Sequence, residues 1–373
     1  MTAPLPHRET FPALTTARFV AAVVVVVFHL WRWDVWEVPP ILERFVAAGP
    51  IAVTFFFVLS GFVMALNYTN DDDALTTTKR AFWRARFARV VPVHWLALLV
   101  ALPIVLALWK KAGADPAGFV DVVKGGLASL LLVQAWIPGH ELAINPPAWS
   151  IAVEGCFYAL FPFVGPRLAA SSKERAWPLL IGLWALSVLP GGLYLALDPD
   201  GLAGDGVVVD HRTHALWLDV VKYHPLVRLP ELLLGVVAGA MFRRGARMPG
   251  KAAIPSVVNV VAIVAAGWPY VILHNGLLAP FFAVIIVVLA SLPSTSLWAA
   301  APLQKLGEAS YAIYALHVPL LWWISGIGER RTGEKILEQP AVAAVAVVVV
   351  VVVSRLVFVL FEDPLRRRLR GRR

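Results

Sequence analysis

The sequence predicts an all-α, polytopic membrane bundle, and three observations carry that prediction. Of 373 residues, 59% are hydrophobic and only 15% charged, with a mean hydropathy of +0.72. Apolar runs close to the ~20 residues that a helix needs to cross the bilayer recur along the chain. Between them lie tight clusters of Lys and Arg, the pattern that holds loops in the cytoplasm. A net charge of +9 and a pI near 9.9 would elsewhere suggest nucleic acid. Here the positive charge sits beside apolar segments, so no nucleic-acid partner is expected.

The first run, ARFVAAVVVVVFHL at 17–30, contains Arg18 and His29. Each costs a few kcal/mol at membrane depth unless compensated. Eleven positions at 3.6 residues per turn return them to nearly one face, about 16 Å apart. That geometry lets them line one cavity. The run ends in the bulky HLWRWDVW at 29–36, not in a small-residue cleavage site, and reads as a retained span.

Nine more spans are predicted at 51–68, 90–109, 149–166, 177–197, 226–242, 253–273, 277–293, 307–327 and 340–361. Segment 119–137 carries Asp121, Lys124 and two glycines, so it reads either as a re-entrant helix or as a crossing. Charge favours the re-entrant reading. KRAFWRARFAR at 79–89, RLAASSKER at 167–175, RRGARMPGK at 243–251 and PLRRRLRGRR at 364–373 then all face the cytoplasm. This gives about ten transmembrane helices with both termini inside. ERRTGEK at 329–335 would lie outside despite its positive charge. Trp136, Trp149, Trp217 and Tyr223 fall near the outer face, where interfacial anchoring is expected. No repeat of 20 to 50 residues is visible. One domain is expected over 1–373, its core about 12–366, with a basic tail at 364–373.

The single cysteine, Cys156, excludes an intrachain disulfide framework. CxxC, HExxH, GxxxxGK followed by Ser or Thr, and GxGxxG are all absent from the sequence, so neither a metal nor a permanently bound cofactor is expected. Chemistry must come from scattered intramembrane polar groups. Arg86 and Arg89, three residues apart, share one face at the cytoplasmic mouth, where guanidinium groups can clamp phosphates or simply anchor the helix. Glu154 lies in an apolar helix with Tyr158 one turn later; its alternative role is a structural pair with Arg18. Tyr311, Tyr314 and His317 follow at spacings of three. Arg228 and Glu231 read as an ion pair near a span entry. Ser60 precedes Gly61, and small residues there permit close helix approach; no GxSxG elbow surrounds the serine.

These residues resemble the acyltransferase 3 group of integral membrane O-acyltransferases. The resemblance runs from Arg18 to Arg366 through seven fragments in order. They are the Arg18 and His29 pair, FFFVLSGF, the Arg86 and Arg89 pair, PAWSIAVEGCFY, VRLPELLLG, LGEASYAIYALH and FEDPLRR. It implies transfer of an acyl group, often acetyl, from a coenzyme A thioester to a hydroxyl, in a bacterial inner membrane. The acceptor would be a carbohydrate, a lipid-linked sugar or a small molecule. Arg18 and His29 match residues thought essential in the family, and Arg86 and Arg89 match its candidate donor contacts. WSIAVE departs conservatively from the family's usual leucine after the serine.

Elementary chemistry agrees with that implication. An alcohol attacking a thioester loses a proton as the bond forms, and a neutral imidazole such as His29 is a suitable acceptor. Glu154 is expected to orient the imidazole, and Arg18 to neutralise donor charge. Ser60, Trp149, Tyr158, Tyr311, Tyr314 and His317 are expected to bind substrate or support the site. The rival reading is a proton-coupled transporter or permease, since spans with buried ionisable groups describe those too. No matched pair of Gly/Pro-broken helices supports it.

Overall fold

The structure, a computed structural model, describes residues 11–32 and 39–370. The last residues of the basic tail, 371–373, lie outside these, as do 33–36 of the bulky segment after the first run. Eight helical stretches among the described residues are long and apolar enough to cross a bilayer. They belong to an all-helical bundle whose elements follow in chain order.

Helix α1 (Pro12–Trp31) opens on a proline at its first turn, where the missing N–H costs nothing. A short α2 (Pro40–Ala47) leads into α3 (Ile51–Tyr68). Next comes the long α4 (Lys79–Lys111), capped by the Thr78 hydroxyl, which accepts from Ala81 N at 3.2 Å. Helix α5 (Pro116–Leu130) is capped by Asp115 and has 15 residues, about 22 Å of helix against about 30 Å of hydrocarbon. Its end meets the middle of α4, where His94 Nε2 donates to Ser129 O at 2.7 Å and Trp95 Nε1 to Leu130 O at 3.0 Å. The chain then turns back through 131–147, tied by Gln134 Nε2 to Ala148 O at 3.0 Å and by Asn145 Nδ2 to Ala315 O at 2.9 Å. Segment 119–137 is therefore too short a helix to cross.

Helix α6 (Ala148–Leu197) has 50 residues and breaks at Arg175, whose φ of −124° and ψ of 29° are not helical. Trp149 packs 5.6 Å from the His274 ring, while a Cβ on Gly276 would touch the Ser187 side chain. Residues 149 and 187 would be about 57 Å apart in a straight helix, yet both reach the 274–276 turn. The chain therefore reverses at Arg175, making the two predicted spans an antiparallel pair.

Helices α7 (Leu216–Tyr223) and α8 (Pro225–Arg243) follow. The predicted span 253–273 is instead divided. Helix α9 (Ala253–Ala265) stops before Gly267, whose φ of +71° favours glycine, and Pro269 precedes α10 (Tyr270–His274). Helix α10 then continues toward α11 (Ala279–Ser291), so the span begins there. Helices α12 (Ala301–Glu308), α13 (Ser310–Thr332) and α14 (Pro340–Val357) complete the bundle, and a π-helical turn at Phe358–Glu362 leads into α15 (Asp363–Arg370).

Backbones approach most closely between α3 and α8. A Cβ on Gly61 would sit 1.8 Å from Leu232 O, and one on Gly235 2.0 Å from Val58 O. Small residues suit membrane helices, which associate by close packing because lipid removes the hydrophobic drive. Above this seam Arg228 and Glu231 form a fully buried bidentate pair, Nε to Oε1 at 2.7 Å and Nη2 to Oε2 at 3.1 Å. Arg228 also bonds His274 Nδ1 at 2.6 Å and Thr54 Oγ1 at 3.3 Å.

The described parts of the four basic clusters meet in two groups, 167–175 with 243–251 at Asp73 and 79–89 with 364–370 around one cavity. Asp73, 3% exposed, bonds Arg243, accepts from Arg244 Nη2 at 2.9 Å and pairs with Lys173 at 3.1 Å. Burial acts to raise the pKa of its carboxyl, but hydrogen bonds from Lys173 and Arg244 and the charges of Arg244 and Arg243 outweigh it. The group is held below the ordinary aspartate value. Trp149 and Tyr223 are buried, packed 5.0 Å apart, and are not interfacial anchors; Trp136 and Trp217 are exposed.

Candidate active site

Arg18 and His29 do not share one cavity. Arg18 lines a chamber of about 660 Å³ at the basic end of the bundle, whose rim includes Arg367, 78% exposed. His29 lines a second pocket of about 40 Å³ toward the other end, among Phe28, Trp149, Tyr223, Tyr270 and His274. Val53 and Tyr314 belong to both linings, so the two cavities meet at these side chains. The Tyr314 hydroxyl lies 2.6 Å from Ser150 Oγ and donates to Pro147 O at 3.3 Å.

The larger chamber brings together Arg18, Ser60, Arg86, Arg89, Glu154, Tyr158, Tyr311 and Tyr314, as α1, α3, α4, α6 and α13 converge. Ser60 Oγ donates to Glu154 Oε1 at 2.6 Å, a contact between residues 94 apart in sequence. Glu154 thus neither orients the imidazole nor forms an ion pair with Arg18 among the described residues. Arg86 Nη2 donates to the Tyr68 hydroxyl at 2.7 Å, and its buried Nε has no hydrogen-bond partner among the described residues. Its guanidinium lies 5.7 Å from the Tyr158 ring. Arg89 differs: its Nη1 pairs with the buried Glu362 at 2.8 Å, which fastens the last helices to α4. Tyr311 donates to Val90 O at 2.7 Å.

The imidazole of His29 is oriented by other partners. His317 Nδ1 lies 2.7 Å from Tyr314 O, which can only accept, so with neutral rings that nitrogen carries the proton. His317 Nε2 is then bare. His29 Nδ1 lies 2.9 Å from Val25 O and 3.2 Å from His317 Nε2, both acceptors, so it carries the proton and shares it between them. This leaves His29 Nε2 with a free lone pair. A nitrogen in that state can take a proton from a hydroxyl.

Sequence reasoning missed Glu308, Arg355, Glu362 and Asp363. Arg355 lies near the end of the predicted span 340–361, two residues after its valine run, and an ionisable residue within an apolar segment was the available signal. Histidines 211 and 274 near His29 were also missed; the His211 ring packs tilted against Trp31 at 4.8 Å.

Comparison with known proteins identifies the family. A family model described as an acyltransferase domain matches residues 11–359. The acyltransferase MdmB of Streptomyces mycarofaciens is 29% identical over 99% of this chain and 95% of its own length. The exopolysaccharide production protein ExoZ of Rhizobium meliloti is 30% identical, covering 87% and 92% respectively. The O-acetyltransferase OatA of Staphylococcus aureus is 22% identical over 84% of this chain, which spans 51% of that protein. No solved structure matches the chain. A matched segment reaching from the first helix to the π-helical turn, in a membrane bundle that gathers the expected polar residues, makes this chain a member of the acyltransferase 3 family.

Proposed function

We propose that the chain is a membrane O-acyltransferase that moves an acyl group, acetyl being the simplest, from acyl coenzyme A to a hydroxyl. The carrying observation is the arginine-lined chamber that ends at Tyr314, with His29 behind it. Donor phosphates fit the basic chamber, against Arg18 and Arg86 in particular, since neither guanidinium has a carboxylate partner among the described residues. The thioester then reaches toward Tyr314. A volume of about 660 Å³ suits a cofactor-sized molecule.

In the transfer step the acceptor oxygen attacks the thioester carbonyl carbon, a C–O bond forms and the C–S bond breaks. The hydroxyl proton goes to His29 Nε2 and is returned to the departing thiolate. The Tyr314 hydroxyl, common to both cavities, can turn its one proton from Pro147 O, which keeps the Ser150 hydroxyl as donor, to the carbonyl oxygen as its charge grows. The His29 pocket holds little more than the reacting hydroxyl, so the body of the acceptor lies beyond it. Family likeness favours a carbohydrate, a lipid-linked sugar or a small-molecule alcohol.

Purified protein incubated with acetyl coenzyme A and extracts of candidate acceptors tests this reading. Release of free thiol with acetylation of an alcohol is the expected result. Arg86→Ala should raise the donor KM with little change in kcat; a pure loss of rate at saturating donor would contradict phosphate contact.

A further inference from the structure

The chamber contains a second tier of arginines that the acyl-transfer chemistry does not use. Arg355, Arg366 and Arg367, all from the last two helices, line the same cavity as Arg18, Arg86 and Arg89. Six arginines face three carboxylates there, Glu154, Glu308 and Asp363, and with Glu362 paired to Arg89 from behind the lining the excess is two positive charges. The two tiers are held differently. The inner guanidinium groups of Arg18 and Arg86 have no carboxylate partner among the described residues. The outer ones are each tethered. Arg355 Nη1 pairs with Glu308 at 2.9 Å, Arg367 Nη2 with Asp363 Oδ2 at 2.6 Å, and Arg366 with the other oxygen of Asp363.

Such tethering restricts flexible side chains at the exposed rim to one region, which lowers the entropy lost when they capture a ligand. Three long cations beside the membrane surface need no shared cavity if they serve only as topological anchors. Their convergence on one opening is what calls for a ligand. Guanidinium groups suit phosphate because their paired N–H donors match its oxygens. The Arg89–Glu362 pair ties α4 to the π-helical turn, which lies in the chain between Arg355 and Arg366, so the outer arginines are anchored to the helix that carries Arg86.

We propose that Arg355, Arg366 and Arg367 form a terminal-phosphate site that reads the far end of a nucleotide-bearing thioester, the 3′-phosphate of coenzyme A. The enzyme thereby distinguishes this donor from pantetheine thioesters and from the dephosphorylated nucleotide form. This rests on the acyl coenzyme A reading above, and it adds which end of the donor each tier holds.

The test compares acetyl coenzyme A with its 3′-dephospho form as donors for the purified wild type and for Arg355→Gln/Arg366→Gln/Arg367→Gln. Both proteins are assayed in neutral lipid, so that no anionic headgroup supplies a phosphate. The wild type should show a KM at least tenfold lower for acetyl coenzyme A than for the dephospho donor. The triple variant should lose that preference while keeping the wild-type kcat and the wild-type KM for the dephospho donor. Equal KM values in the wild type, or an undiminished preference in the triple variant, would overturn the proposal. A variant that fails to fold is replaced by single substitutions, each expected to weaken the preference in part. Turnover of neither donor would overturn the coenzyme A reading itself, a result distinct from turnover of both without preference.

Discussion

His29 gains its proposed basicity from an ordered set of neighbours: a carbonyl one turn back and a second histidine that can only accept. His317 is therefore a positioning residue. His317→Ala should lower kcat with the donor KM unchanged, whereas His317→Gln, whose amide oxygen can accept near the place of Nε2, should retain more activity. Kinetics of both variants, with nitrogen NMR of the His29 tautomer, check this; equal losses in both would argue for mere packing. Much of the chamber was legible at this scale, because an ionisable group inside an apolar run signals itself. Arg18 and Glu154 were found that way, and Arg86 and Tyr158 by their helical spacing from Arg89 and Glu154. What joins them was not legible. The Ser60 contact to Glu154 and the Arg89 pair with Glu362 span 94 and 273 residues. Only the packed bundle decides that Glu154 meets a serine and not an imidazole.

At the scale of elements, the bundle depends on the seam between α3 and α8, where carbonyl oxygens occupy the space a side chain would need. Gly235→Val must push the helices apart, and overpacking of this kind costs about 1–3 kcal/mol. A lower thermal midpoint in detergent is the expected reading. Removing one member of the fully buried pair is more damaging, since it strands a charge: Glu231→Ala should destabilise by about 3–5 kcal/mol. An Arg228→Met/Glu231→Leu double variant should recover part of that loss, measured by the same melt. Long apolar runs made most helices legible. The break at Gly267 was overlooked although Gly267 and Pro269 signal a helix stop, because the apolar run of α9 and α10 reads as one span by hydropathy alone. Conversely, the reversal at Arg175 was legible from polar residues 171–175 between two apolar runs.

The whole molecule is organised as two ends. Asp73 binds three basic side chains from two separate clusters, and its depressed pKa fixes a sign. Its contribution is fully present above the ordinary aspartate value, about 3.9, and is lost as pH falls through the lower folded value. Thermal midpoints should therefore drop on acidification below about pH 4, and Asp73→Asn should be less stable at neutral pH with a flatter acid limb. Sidedness follows from the same clustering. With Cys156→Ser as background, cysteines placed at Arg175 and at Gly333 should label from opposite faces of sealed vesicles, Arg175 from the cytoplasmic one; labelling from one face would refute the topology.

The proposed division between a donor chamber and a proton-accepting pocket is most directly tested by His29→Ala. Acetyl coenzyme A binding and turnover should be measured on the same purified sample. Binding within about twofold of wild type, with kcat reduced about 10²- to 10⁴-fold, is the predicted result. Turnover at the wild-type rate, or a loss of donor binding equal to the loss of turnover, would contradict it.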